Sequence, residues 1–275
     1  MSKKLQGLYG LKFNPFSPQV PASALFTFPL IENFCWRMEQ QIGEGGFALV
    51  TGDCGSGKSA ALRLLSQRLS QVRDLAVGSL TRPQAGVTDF YRELGHLFGV
   101  PLSARNRWHS SNVLRQKWLA HIEGSVYRPV LLIDEAQEMS STVFSELRLL
   151  SSADLDSRSI LTIVLAGDQR LASRLADLDL LPIASRIRAR LRLEGLAPKQ
   201  LQDCLHHLLQ AAGNPGLLTS ALITTLCEHA AGNLRLLMNM AHDLLSAAAH
   251  QERDRLDEKL YFEVFALDPK PAKKL

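Results

Sequence analysis

FALVTGDCGSGKSAALRLLSQRL, residues 47–69, is the stretch that decides the fold. Phe47 to Val50 is an apolar run of strand character, and a leucine-periodic segment that predicts a helix follows eight residues later. Between them lies a glycine-punctuated loop: Gly52, Asp53, Cys54, Gly55, Ser56, Gly57, Lys58 and Ser59, with Ala60 already in the helix. Glycines permit backbone conformations closed to other residues, so successive amides can turn inward onto an anion. The first turn of the helix adds its partial positive charge. Lys58 is then placed to reach the β and γ phosphates of a nucleotide, and the Ser59 hydroxyl to ligate Mg²⁺.

Working outward, Tyr127 to Ile133 reads as a second buried strand that runs straight into Asp134 and Glu135. A parallel sheet delivers such acids to its carboxyl edge, beside the phosphate loop. Asp134 is the candidate second metal ligand, and Glu135 the candidate general base for an attacking water. The alternative is that the two acids cap a helix beginning near Ser140. Ser159 to Ala166 predicts a further strand, ended by Gly167, Asp168 and Gln169; Asp168 or Gln169 is the candidate γ-phosphate sensor. Arg170 to Leu180 reads as a helix broken by Leu181-Pro182.

Arg186, Arg188, Arg190 and Arg192 recur at every second position, with Ile187, Ala189, Leu191 and Leu193 between them. That is strand periodicity, with one face in the core and a row of guanidinium groups on the other. Like charges in a row need anionic partners. These are either local acids or a neighbouring subunit's nucleotide, for which Arg186 is the favoured residue.

From Ala197 onward the pattern is helical only. Pro198–Ala212, Leu217–Ala230, Asn233–Ala249 and Asp254–Phe265 predict a small lid, in which Arg235 projects from a first turn as a candidate phosphate contact. At the other end, residues 10–30 read as an irregular arm. Asn14 and Phe16 within it either help to cover the adenine or strap the arm to the core. Helices are expected over Leu30–Ile42 and Val87–Leu97, and a short strand near Leu75–Val77. The resulting domain expectation is an arm (1–29), an α/β ATPase domain (30–196), a helical lid (197–267) and a basic, disordered tail (268–275).

The charge balance of +4 is uneven: residues 1–196 carry 23 Lys and Arg against 18 Asp and Glu, and residues 197–275 carry 8 against 9. Between Glu93 and Glu123 no acid occurs, while Arg105, Arg107, Arg115 and Lys117 do. Such a segment suits a phosphate backbone, and Arg105, Arg107 and Lys117, with Arg82 from the preceding turn, are the candidate DNA contacts; an exposed basic helical face is the alternative. Four dispersed cysteines, with no ligand-like pairing, argue against a zinc site or a disulfide framework. No apolar run has the length of a signal peptide core or a membrane span, so a cytoplasmic protein is expected.

Taken in order, Gly52 to Ser59, Asp134-Glu135, Ser185-Arg186-Ile187 and Gly232-Asn233-Leu234-Arg235 resemble the AAA+ ATPases. The opening Tyr9-Gly10-Leu11-Lys12-Phe13-Asn14-Pro15-Phe16, the Asp134-Glu135-Ala136-Gln137 run and Leu165-Ala166-Gly167 look like the ExeA/GspA-like secretion ATPases and their transposon-encoded, TnsC-like relatives. The resemblance implies an α/β fold, a P-loop AAA+ parallel sheet with a small C-terminal all-α lid. It also implies ATP and Mg²⁺ as ligands, nucleotide held between subunits of a ring or filament, Arg186 as a finger acting in trans, and Arg235 as a second sensor. A chain ending at Leu275 without a membrane span or peptidoglycan-binding region looks like the transposition regulators. On that reading it assembles on double-stranded DNA with ATP and recruits a transposase. The rival expectations are a secretion-system ATPase with protein clients, a small-molecule P-loop kinase, and a DNA scaffold with negligible turnover.

Overall fold

A computed structural model describes residues 7–102, 106–154 and 157–265, which fall into two compact units. The larger spans Thr27–Glu194. It is built from helix α1 (Pro29–Gln41), strand β1 (Gly46–Gly52), α2 (Lys58–Leu69), β2 (Val77–Leu80), α3 (Val87–Leu97) and α4 (Arg107–Ser125). β3 (Val130–Ile133), α5 (Ser141–Ser151), the short strands β4 (Ser152–Ala153) and β5 (Arg158–Ser159), and β6 (Thr162–Gly167) follow. Helices α6 (Gln169–Arg174) and α7 (Leu181–Ala184) then lead to β7 (Ile187–Leu193).

Five of these strands form one sheet in the order β2-β3-β6-β1-β7, with every pairing parallel. The crossover order places β1 and β3 on either side of β6. Their carboxyl ends, where the phosphate loop and the acidic pair begin, therefore flank the end of β6. Both faces of the sheet are covered by helices, which is why the central strands read as unbroken apolar runs. Phe47, Leu49, Leu131, Ile133, Ile163 and Leu165 pack on one side with Phe90, Leu94, Leu114, Trp118, Phe144 and Leu147.

The helix α4 orders most of the acid-free segment. Leu114, Trp118 and Ile122 recur every fourth residue on its buried face, and Asn106 caps it by accepting from the His109 amide at 2.9 Å.

Some expected boundaries shift for local reasons. The strand expected over Tyr127–Ile133 is the four-residue β3, entered through Arg128 and Pro129. The run expected as a strand over Ser159–Ala166 divides: Arg158 and Ser159 pair antiparallel with Ser152 and Ala153, and the parallel ladder begins only at Thr162. The helix expected over Arg170–Leu180 stops at Arg174, and Pro182 opens α7 rather than only breaking a helix, since proline lacks an amide that a first turn does not need. The short strand expected within Asp74–Leu80 forms at the end of that stretch, Val77–Leu80, and shares only Val77 with Leu75–Val77.

The second unit joins Met1–Phe26 to Gly195–Leu275. Its helices are α8 (Pro198–Ala212), α9 (Ser220–His229), α10 (Leu234–His250) and α11 (Glu258–Phe265). Leu201, Leu205 and Leu209 form a buried stripe on α8, and they cluster with Leu222, Leu226, Leu237, Leu244 and Leu260. The N-terminal arm belongs to this cluster through Tyr9, Leu11 and Phe16, and the Tyr9 hydroxyl donates to the Arg253 carbonyl at 2.9 Å. The tail residues 266–275 lie outside the described residues.

Candidate nucleotide site

β1 leaves the sheet into the loop at a point with no room for a side chain. A Cβ on Gly52 would lie 2.6 Å from the Leu193 carbonyl oxygen and 2.5 Å from Ser56 Oγ. Lys58 opens α2 and is 6 % exposed; its Nζ donates to the carbonyls of Gly52 at 2.8 Å and Asp53 at 3.0 Å. The ammonium is thus curled over its own loop, where an anion would compete for it. Ser56 Oγ is buried and has no hydrogen-bond partner among the described residues. An unsatisfied buried hydroxyl in a ring of amides fits a phosphate group that would complete its bonding.

Ser59, one residue into α2, donates to Asp134 Oδ2 at 2.6 Å. This contact joins the two halves of the sequence-derived site across β6. A hydroxyl and a carboxylate side by side are hard oxygen donors. They suit Mg²⁺, which takes few protein ligands and completes its octahedron with water and phosphate oxygens. Asp134 also accepts from the Glu135 amide at 2.9 Å. Glu135 has a left-handed backbone, φ 51°, which turns the chain sharply after β3 and presents its carboxylate at the surface. The acids therefore do not cap α5; Ser140 does that, accepting from the Val143 amide.

At the end of β6, Asp168 caps α6 by accepting from the Arg170 amide at 2.9 Å and pairs with the Arg170 guanidinium at 2.8 Å. The hydrogen bond from Arg170 holds its carboxyl below the usual carboxylate range, and Lys58 pushes in the same direction. Lys58, Asp134, Glu135 and Asp168 thus all come from loops at the carboxyl edge of the sheet.

The remaining candidates are placed as follows. Arg186 sits where α7 meets β7, and its guanidinium donates to the Pro182 carbonyl. β7 is an edge strand that buries Ala189, Leu191 and Leu193 and exposes the arginine face, as the alternation predicts. Local acids take part of that row: Arg188 pairs with Glu44 at 2.5 Å and Arg192 with Glu194 at 3.2 Å. In the helical unit, Arg235 is exposed on the first turn of α10. Phe16 is 2 % exposed and packed among leucines, while Asn14 accepts from the Phe16 amide at 3.0 Å and bonds His242 at 3.0 Å. These contacts fasten the arm to the helical unit.

Among the DNA candidates, Arg82 and Lys117 are exposed, and Arg105 lies outside the described residues. Arg107 is ion-paired with the buried Glu146, which also accepts from the Tyr91 hydroxyl at 2.6 Å. Gln137, Arg170 and Arg174 were not among the residues singled out by sequence. Arg174 donates to the carbonyls of Gln137 at 2.6 Å and Met139 at 2.7 Å, and Arg170 pairs with Glu138 at 3.0 Å, so α6 is fastened to the turn that carries Glu135. Their trace in the sequence is the Asp134–Gln137 run, in which Gln137 has no assigned role, and two arginines spaced i, i+4 just after the Asp168 turn.

Residues 40–175 match the family described as AAA domain. General secretion pathway protein A of Aeromonas hydrophila is 30 % identical over 208 residues, which are 74 % of this chain and 37 % of that protein, so the chain spans little more than a third of this curated relative. Among solved structures, Cdc6p of Pyrobaculum aerophilum superposes with a TM-score of 0.71 at 17 % identity, covering 88 % of this chain and 67 % of that one. Domain III of the Thermotoga maritima replication initiation protein DnaA gives 0.65 at 16 % identity, over 91 % and 97 %. The Drosophila origin recognition complex bound to DNA gives 0.66 at 19 %, over 95 % and 65 %. Residues 40–175 thus resemble the AAA domain in sequence, and the five-stranded parallel sheet has the AAA+ P-loop ATPase fold.

Proposed function

We propose that this chain is a cytoplasmic ATP hydrolase whose nucleotide state controls its self-assembly on double-stranded DNA, and that the assembly recruits or regulates a transposase in the choice of target. The observation that carries the enzymatic half is the Ser59–Asp134 contact beside a phosphate loop with an orphaned Ser56 hydroxyl. The loop amides and Ser56 bind the phosphates, and Lys58 exchanges the carbonyls of Gly52 and Asp53 for phosphate oxygens. Ser59 and Asp134 would hold Mg²⁺, which would supply charge neutralisation at the phosphates. Glu135 accepts a proton from the attacking water, and Asp168 at the end of β6 is the candidate sensor of the γ phosphate. Arg186 of one subunit completes the site of the next, with Arg235 as a second phosphate contact, so that occupancy and assembly are one event.

The DNA half rests on the exposed Lys117 and Arg82 and on the excess of positive charge in residues 1–196. A second reading, an ATPase of a secretion system acting on protein clients, is favoured by the 30 % identity to the Aeromonas hydrophila protein. ATP turnover and sedimentation of the wild type, Lys58→Ala and Glu135→Gln, each with and without duplex DNA, test the proposal. The expected result is ATP-dependent assembly on DNA that Lys58→Ala abolishes and Glu135→Gln prolongs. Intact turnover with no DNA binding at low salt would favour the secretion reading. Assembly indifferent to nucleotide in all three proteins would end the coupling.

A further inference from the structure

We infer that Gln137 is a positioning residue that holds the Glu135 carboxylate in register with the end of β6; the inference rests on the reading of Glu135 as the general base. Gln137 is 6 % exposed, yet its side-chain amide is fully engaged in two directions. Nε2 donates to Glu135 Oε2, and Oε1 accepts from the Asp168 amide at 3.3 Å. Only this orientation satisfies both neighbours, because the flipped amide would set an oxygen against the carboxylate and an NH₂ against an N–H. One planar group therefore spans from the acid of β3 to the loop of β6.

The surroundings fix that amide. A Cβ on Gly167 would lie 2.5 Å from Gln137 Oε1, so glycine at the end of β6 is what leaves room for it. The Gln137 carbonyl is held by Arg174, and the adjoining Glu138 by Arg170. Glu135 itself is an exposed, long side chain on a left-handed turn and has several rotamers open to it. A donor from a buried, doubly anchored amide selects the rotamer in which one oxygen is held and the other is left for water. Orientation of this kind is worth about 10-fold to 100-fold in rate, because a displacement of about 1 Å at a reacting group costs that much.

The test uses the full chain and two variants. Gln137→Glu keeps an oxygen to accept from the Asp168 amide but replaces the donor to Glu135 by a second carboxylate; Gln137→Met loses both hydrogen bonds without adding charge. Turnover at pH 8, affinity for a fluorescent ATP analogue and melting temperature are measured for each, and again in a Glu135→Gln background. The expected result is a fall of about 10-fold or more in kcat for Gln137→Glu, with KM and analogue affinity within about twofold and no further loss when Glu135 is already replaced. A purely structural role predicts losses in both variants that track a lowered melting temperature and a weakened analogue affinity; that outcome overturns the inference. So does an equal loss with and without Glu135. A wild-type protein that binds the analogue but turns over no ATP overturns the hydrolase reading and this inference with it, whereas Glu135-dependent turnover untouched by Gln137→Glu overturns the inference alone.

Discussion

Ser59 Oγ lies 2.6 Å from Asp134 Oδ2, a hydrogen bond that spans from the first turn of α2 to the carboxyl end of β3 across the intervening β6. Residues 75 positions apart in sequence thus present two oxygens to one point. Crossover topology brings this about. In a parallel sheet whose strand order departs from chain order, loops that are distant in sequence meet at the carboxyl edge.

Replacing Asp134 by Asn keeps the shape and the acceptor but removes the charge that a divalent cation needs. The Mg²⁺ concentration giving half-maximal ATP turnover is expected to rise about 10-fold or more, and Ser59→Ala to raise it in the same direction. Titration of Mg²⁺ at saturating ATP measures both. An unchanged half-saturation point in Asp134→Asn would remove this residue from the metal site.

Gly52→Ala is expected to abolish nucleotide binding and to lower the melting temperature. The new methyl group would meet the Leu193 carbonyl oxygen on the neighbouring strand at 2.6 Å, and a backbone atom in a paired strand cannot step aside as a side-chain tip can. Overpacking of this kind costs about 1–3 kcal/mol. Calorimetry with and without an ATP analogue separates the two effects, and a variant that melts and binds as the wild type does would show that the loop can retreat from β7.

The four thiols divide by environment. Cys54 is exposed in the phosphate loop, whereas burial pushes Cys35 and Cys227 up to about 11 and Cys204 up to about 12. At pH 8 a maleimide is expected to label Cys54 alone, and ATP with Mg²⁺ to slow that labelling. The buried thiols also set an alkaline limit. Their folded pKa values stand above the unfolded value of 9.0, so their contribution to stability is whole below about pH 9 and is lost as pH climbs through 11 to 12. Melting temperature should fall across that window, and labelling of Cys204 in the folded protein at pH 8 would contradict the burial.

The phosphate loop, the acidic pair and the arginine-bearing edge strand were legible because each is a local pattern tied to a local constraint: glycines at a crowded turn, carboxylates after an apolar run, alternation along a strand. The division of residues 158–167 into a hairpin arm and a parallel strand was not. Ser159 to Ala166 reads as one unbroken run of strand formers, and the pairing of Arg158 with Ala153 depends on where α5 happens to end. Gln137 stands in the Asp134–Gln137 run, but an amide two residues after a carboxylate looks like any surface amide until β6 is placed beside it. Arg107 looks like a candidate DNA contact in the sequence because its partner Glu146 is 39 residues away on another helix.

That last difference makes DNA binding a discriminating measurement. Lys117 is exposed on α4, and if it neutralises a phosphate, Lys117→Ala should weaken affinity at every sequence and reduce the slope of log affinity against log salt by about 1. Arg82→Ala should act alike. Arg107 already balances the buried Glu146 carboxylate, so its removal leaves that charge with the Tyr91 hydroxyl and no cation among the described residues, and should lower the melting temperature while changing the salt slope little. Affinities measured across a salt series for the three variants, with melting curves alongside, decide the matter. A slope reduced as much by Arg107→Ala as by Lys117→Ala would mean that the Arg107–Glu146 pair opens to take a phosphate. A wild-type affinity independent of salt would take α4 out of any nucleic-acid surface.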